Sequence, residues 1–230
     1  MFLLKARQLS RKQLWQNIGN MNRKTADEII KRLAAKYPNP KPALRFSSDY
    51  ELLVAVILSA QCTDERVNTV TSELFKEYNT PEKMLDLSAE ELSKRILPCG
   101  LNNSKAAHIL SASEDIVKKF SGKVPQSFDD LISLSGVGRK TADVMIGVAF
   151  NGDAIAVDTH VFRVSNRTGL AIGKTPYKVE QGLNAIIDKK EWSKAHHYLI
   201  FHGRETCRAR KPDCNNCIIS DLCEWKEKNK

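Results

Sequence analysis

Apolar positions recur at helical spacing along almost the whole chain. Ile29, Ile30 and Leu33 share one side of a helix expected over Ala26–Ala35. Pro38, Pro40 and Pro42 end it and mark a boundary. Ser48-x-x-Glu51 then reads as a capping box ahead of Leu52–Leu58. That run is apolar on every side, so its helix is expected to be buried all round. Ser88-x-x-Glu91 opens another helix, which stops before Pro98-Cys99-Gly100. Thr175-Pro176 starts a later one as cap and first residue, carrying Val179, Leu183, Ile186 and Ile187, and Glu191–Phe201 makes the last long helix. The best strand-like segment is Ile155-Ala156-Val157, after Asn151-Gly152. The pattern predicts an all-α protein.

In one place the pattern is interrupted on purpose. Phe128, Leu131, Ile132 and Leu134 fall at helical spacing behind Ser127-x-x-Asp130, and Ala142, Met145, Ile146 and Ala149 repeat the spacing further on. Ser135-Gly136-Val137-Gly138 between them has room only for a tight turn, whose glycines permit positive φ. The segment reads as helix, hairpin, helix, with the N–H groups of Gly136, Val137 and Gly138 expected to face outward as an anion site. Lys140 stands in the first turn of the second helix beside Arg139. The positive end of the helix dipole and that arginine both favour a neutral amine, the form that Schiff-base chemistry requires. The plainer alternative is an ordinary turn carrying a solvated lysine.

Charge narrows the partner. The 230 residues hold 42% hydrophobic side chains and a formal charge of +9, which fits a globular protein with a polyanionic partner, nucleic acid first among them. No apolar run approaches the roughly 18 residues of a membrane-spanning helix. Residues 1–20 contain Lys5, Arg7, Arg11 and Lys12 and no acidic residue. They are expected to form a poorly ordered basic extension; an organellar targeting peptide and a start at Met21 are the other readings.

Four of the six cysteines cluster near the C-terminus, as Cys207-x6-Cys214-x2-Cys217-x5-Cys223. Without a secretory signal, such a set points to a metal rather than to disulfides. Zinc normally recruits two close pairs, whereas an iron–sulfur cube tolerates irregular spacing around one Cys-x2-Cys, so the cube is favoured and zinc stays open. Arg208, Arg210 and Lys211 lie between the first two thiols, either as a stiff phosphate-binding loop or as solvated charges. Nothing apolar is evident from Arg208 to Trp225 to hold this segment without metal. Cys62 and Cys99 read as isolated, small buried hydrophobes. Asp158, ahead of Val161 and Val164, reads as a helix N-cap or as a carboxylate supporting the lysine.

Taken together, Leu58-Ser59-Ala60-Gln61, Gly100–Ala106, Gly136–Ala142, Ala156–His160 and the four cysteines resemble endonuclease III, the bifunctional DNA glycosylase family of the helix-hairpin-helix superfamily. The resemblance runs in order from about Met21 onward. It implies an all-α fold of two domains with DNA in the cleft between them: a six-helix domain over residues 42–152, and a cluster domain from 21–41 and 153–230. It implies Lys140 as nucleophile and Asp158 as catalytic carboxylate. Gln61 would fill the space left by an extruded base and Leu101 would wedge into the opposite strand. Gly136, Val137, Gly138, Arg139, His160, Arg208, Arg210 and Lys211 would contact DNA. Cys207, Cys214, Cys217 and Cys223 would bind a [4Fe-4S] cluster. The expected activity is removal of oxidised pyrimidines followed by strand nicking, by a monomer acting on duplex DNA in the cytoplasm or nucleoid.

Four positions depart from the family pattern. Ser135 replaces a proline, Asn102 an aromatic residue, Asp143 an amide and Cys62 a small residue. Two other functions are weighed: a monofunctional mismatch glycosylase, which would lack a lysine at position 140, and a non-catalytic DNA-binding module with a metal scaffold. Lys140 speaks against the first, and the Lys140/Asp158 pair against the second.

Overall fold

The computed structural model describes residues 21–227; the basic extension of residues 1–20 lies outside them. The chain forms two compact units, one of Lys41–Ala156, the other of the segment up to Pro40 together with Val157 onward. Among the described residues every regular element is a helix.

The Lys41–Ala156 unit is organised around α2 (Asp49–Ser59), in which every residue from Tyr50 to Leu58 is buried. This is the all-round burial that its apolar run predicts. Ser48 caps it, accepting from Glu51 N at 3.2 Å, but Glu51 answers Ser47 N at 2.6 Å rather than Ser48, so the capping box is shifted by one residue. Against α2 pack α3 (Asp64–Leu74) and the long α6 (Asn102–Phe120), which also meets α4 (Pro81–Met84) and α5 (Ala89–Arg95). The reciprocal Ser88/Glu91 box does form at the start of α5. A single 3-10 turn, Leu97–Cys99, leads into α6.

The hairpin joins α7 (Phe128–Ser133) to α8 (Arg139–Val144). Beyond Val144 the expected helix does not continue in α form. It widens into a π turn over Met145–Ala149, closed by Phe150 N on Met145 O at 3.2 Å. Ala142 and Met145 keep their place in the core, while Ile146 and Ala149 are only half-buried.

In the other unit, α1 (Arg23–Lys36) and α9 (Thr159–Thr168) both pack on α11 (Trp192–Glu205), and α10 (Pro176–Ile186) packs on α9. Ile29 and Leu33 are the apolar face of α1, fully buried as their spacing predicts. Arg32 on the same helix reaches the cysteine segment, donating to Asp221 at 2.8 Å and to Ile218 O at 3.1 Å. The α9–α11 crossing is close: a Cβ on Gly203 would lie 3.0 Å from His160 Cβ.

Two expectations are corrected here. Ile155-Ala156-Val157 is buried but is not a strand among the described residues, because an all-helical surround gives it no ladder partner. Cys62 and Cys99 are not isolated from each other. Their side chains meet, and Cys99, in the core, has its thiol pushed up to about 11, first by burial and then by Cys62.

Candidate functional site

In the Lys41–Ala156 unit the hairpin seats Lys140. Gly136 has φ +78 and its Cα lies over His108 of α6, where a Cβ would come within 2.8 Å of the histidine Cβ. Gly138 has an ordinary φ of −92 and serves as the N-cap of α8 without a side chain. The Val137 N–H is turned inward, donating to Leu134 O at 3.1 Å with the residue 6% exposed. The expected outward trio of N–H groups is corrected on that point: closing a turn this tight consumes Val137 N–H. Arg139 and Lys140 are exposed, and the Arg139 guanidinium stacks over the Phe128 ring at 4.6 Å, bracing α8 against α7. Asp143, one turn on, is 7% exposed.

Gly136→Ala is expected to destabilise the protein by at least about 1–2 kcal/mol, from left-handed strain alone, before the histidine contact is counted. Gly138→Ala meets nothing within 4 Å at an ordinary φ and should be nearly neutral. Denaturant unfolding of the two variants checks the pair.

Two further candidates in this unit share an unusual backbone. Gln61, after α2, has φ 55, and Leu101, before α6, has φ 49. Both are exposed, Leu101 at 56%. Asn102, beside it, is tied down by its amide donating to the buried Ser93 Oγ at 2.5 Å.

In the other unit Asp158 is the N-cap of α9. Its Oδ1 accepts from His160 N at 2.8 Å and from Val161 N at 2.7 Å, and neither bond uses Oδ2. The cap reading and the catalytic reading are therefore compatible on one side chain. His160 is half-buried beside Arg163, whose Nη2 lies 3.2 Å from its Nδ1, and burial holds its pKa below the usual histidine value.

The cysteine segment follows α11. Cys207, Cys214, Cys217 and Cys223 are half-buried cysteines lining one pocket. Burial pushes the Cys217 thiol up, and so do the charges of Cys223, Cys207 and Cys214 near it. Four sulfurs brought to one pocket fit a cationic centre, which would draw off their protons on binding. The four thiols around this pocket are a sulfur donor set of the kind that holds zinc or an iron–sulfur cluster.

Sequence reasoning missed what frames this pocket. Arg167 on α9 donates to Cys207 Sγ at 3.6 Å and to Arg208 O at 2.8 Å, and its guanidinium covers the Trp225 ring at 4.2 Å. Arg163, one turn earlier, donates to Cys207 O at 3.0 Å. Arg163 and Arg167, four apart on the helix that Asp158 caps, were the signal available. His202 lies against Cys217, its Nε2 3.6 Å from Sγ. Ile219 is fully buried, correcting the expectation that nothing apolar holds this segment. Arg208, Arg210 and Lys211 are exposed, and Lys211 bends the loop with φ 51.

A helical hairpin presenting a lysine, with a four-thiol pocket further along the chain, defines a helix-hairpin-helix protein with a candidate metal centre. Residues 54–189 match the HhH-GPD superfamily of base excision DNA repair proteins. The chain is 49% identical over 208 residues to endonuclease III of Haemophilus influenzae, covering 90% of this chain and 99% of that one. It is 48% identical over 208 residues to the Escherichia coli K12 endonuclease III, with the same coverage. Among solved structures it resembles a trapped covalent intermediate of endonuclease III with DNA, at a TM-score of 0.85 and 42% identity, covering 89% of this chain and 96% of that one. The chain belongs to the endonuclease III family of the HhH-GPD superfamily.

Proposed function

We propose that this chain is a base-excision repair DNA glycosylase with abasic-site lyase activity that acts on oxidised pyrimidines in duplex DNA as a monomer. The observation that carries the reading is Lys140, exposed in the first turn of α8 directly after the hairpin, in a chain nearly half identical to bacterial endonucleases III. A neutral Lys140 amine attacks C1′ of the extruded nucleotide, and the C1′–N bond breaks as the damaged base leaves with its electron pair. The sugar ring opens to a Schiff base, whose iminium draws electrons from C2′. Loss of a C2′ proton breaks the C3′–O bond by β-elimination, and water then releases the lysine. Asp158 stabilises positive charge developing on the sugar and assists the proton transfers. Gln61 and Leu101 take the base's place and part the opposite strand, and extrusion is least costly for lesions that pair poorly.

Cys207, Cys214, Cys217 and Cys223 hold a [4Fe-4S] cluster in this reading. The scheme above asks no redox step of it, and bound there it would fix the Arg208–Lys211 loop for phosphate contact. No helix among the described residues is long and apolar enough to cross a membrane. The reading places the enzyme in the cytoplasm or nucleoid, with the DNA it acts on. Borohydride trapping on duplexes carrying different oxidised pyrimidines tests class and substrate together. Absence of any covalent adduct would overturn the lyase reading and leave a monofunctional glycosylase or a DNA-binding module, which base release from the same duplexes separates.

The cluster is checked by iron and zinc analysis: about four irons per chain and little zinc are expected. Cys214→Ser should release iron and loosen the segment around the buried Ile219, which Arg32 and Arg167 still tether. Neutralising Arg208, Arg210 and Lys211 together should leave the iron in place. It should weaken binding to all duplexes alike and flatten the salt dependence by about 0.9 units of slope for each phosphate no longer neutralised. An unchanged slope would mean that the three charges are merely solvated.

A further inference from the structure

Lys105 stands in the first turn of α6 and is only 3% exposed. Its Nζ donates to Leu58 O at 2.8 Å and to Cys99 O at 2.9 Å. Its backbone N–H donates to Leu101 O at 2.9 Å. Leu58 lies in the last turn of α2, three residues before Gln61, and Cys99 ends the 3-10 turn, two residues before Leu101. One side chain thus bridges the two stretches of backbone that lead into the two left-handed residues.

The helix end explains why this position needs a donor. The last carbonyls of α2 have no partners within the helix. Val56 O is taken by Ser59 Oγ at 2.8 Å, Ile57 O by Ala60 N at 3.4 Å, and Ser59 O by Cys62 N at 3.1 Å. Leu58 O is met by Lys105. Gln61 at φ 55 and Leu101 at φ 49 each adopt a conformation costing a non-glycine residue roughly 1–2 kcal/mol, and such residues persist where their surroundings over-determine them. A buried lysine is also a costly choice for a merely structural bond.

We propose that Lys105 is a positioning residue for base extrusion, fixing the separation of the Gln61 and Leu101 turns so that both enter the duplex together. The inference rests on the proposed roles of Gln61 and Leu101. It adds a residue that touches neither DNA nor the reacting atoms. Lys105→Met keeps the length and apolar stem and removes both donated bonds.

The test is single-turnover excision of 5-hydroxycytosine placed opposite guanine, where it pairs, and opposite thymine, where it does not. The variant should lose about 100-fold on the paired substrate, the scale of a small misplacement of an otherwise intact site. On the mispaired substrate it should recover to within about tenfold of the wild type, because an unpaired base costs less to extrude. The fluorescence of 2-aminopurine beside the lesion should show reduced extrusion. Equal losses on both substrates would make Lys105 a general stability residue, and wild-type excision of the paired base would remove it altogether. Lys105→Gln, which keeps a donor on a shorter stem, serves the same comparison if Lys105→Met does not fold. Gln61→Ala and Leu101→Ala run alongside separate the two failures. If they lose paired-substrate activity while Lys105→Met does not, only the positioning role falls. If they behave as wild type, the reading beneath it falls too.

Discussion

Lys140→Gln is expected to abolish borohydride-trapped adducts and strand nicking while leaving duplex binding close to that of the wild type. Glutamine keeps much of the side chain's length and its ability to hydrogen-bond, and it lacks the nucleophilic amine. Because Lys140 is exposed, the substitution leaves the core untouched, so the melting temperature should not move. The hairpin beneath it, with Gly136 against His108 and Arg139 over Phe128, does not depend on the lysine. Wild-type trapping in the variant would take Lys140 out of the mechanism.

Asp158→Asn is expected to lower the rate of base removal by about 10²–10⁴-fold, the range spanned by losing one positioned proton-transfer group. Stability should change by no more than about 0.5 kcal/mol, since asparagine caps nearly as well as aspartate. Both capping bonds fall on Oδ1, and an amide oxygen accepts the same two N–H groups. Asp158→Ala, by contrast, should lose the rate and also about 1 kcal/mol of stability. Full activity in the asparagine variant with a lowered melting temperature would reduce Asp158 to a cap. Single-turnover rates and thermal melts on the same preparations distinguish the outcomes.

What was legible in the sequence is what short-range patterns encode. The apolar run of α2 announces its burial, and the Ser88/Glu91 pair its capping box. Gly-Val-Gly announces the hairpin, and the crowded thiols announce one pocket. What was not legible depends on residues far apart in the chain or on side chains used against type. Cys62 meets Cys99 only because α3 packs beside the turn that ends at Cys99. Lys105 is a lysine in a basic chain, and nothing local says that its amine is buried under two carbonyls. Arg163 and Arg167 look like solvent-facing charges until α9 is laid against the cysteine segment. Ile219 sits with Ile218 and Leu222 in the short stretch between Cys217 and Cys223, too brief for a helical or strand period to single it out as the core position. The π turn after Val144 follows from a backbone choice that apolar spacing does not distinguish from a regular helix.

The unit that holds the cysteines is assembled from both ends of the described chain. Its first helix is joined to its last segment by the Arg32–Asp221 ion pair, across 189 positions. On the ribosome, α1 emerges with Ile29 and Leu33 bare and must wait for α11 before its apolar face has a partner. At about 5–20 residues per second that delay is on the order of 10–40 s, during which the Lys41–Ala156 segment is already complete enough to collapse by itself. Closure of this unit thus waits until α11 has emerged, and a message broken before that point leaves a nascent chain with an exposed amphipathic helix, a substrate for quality control.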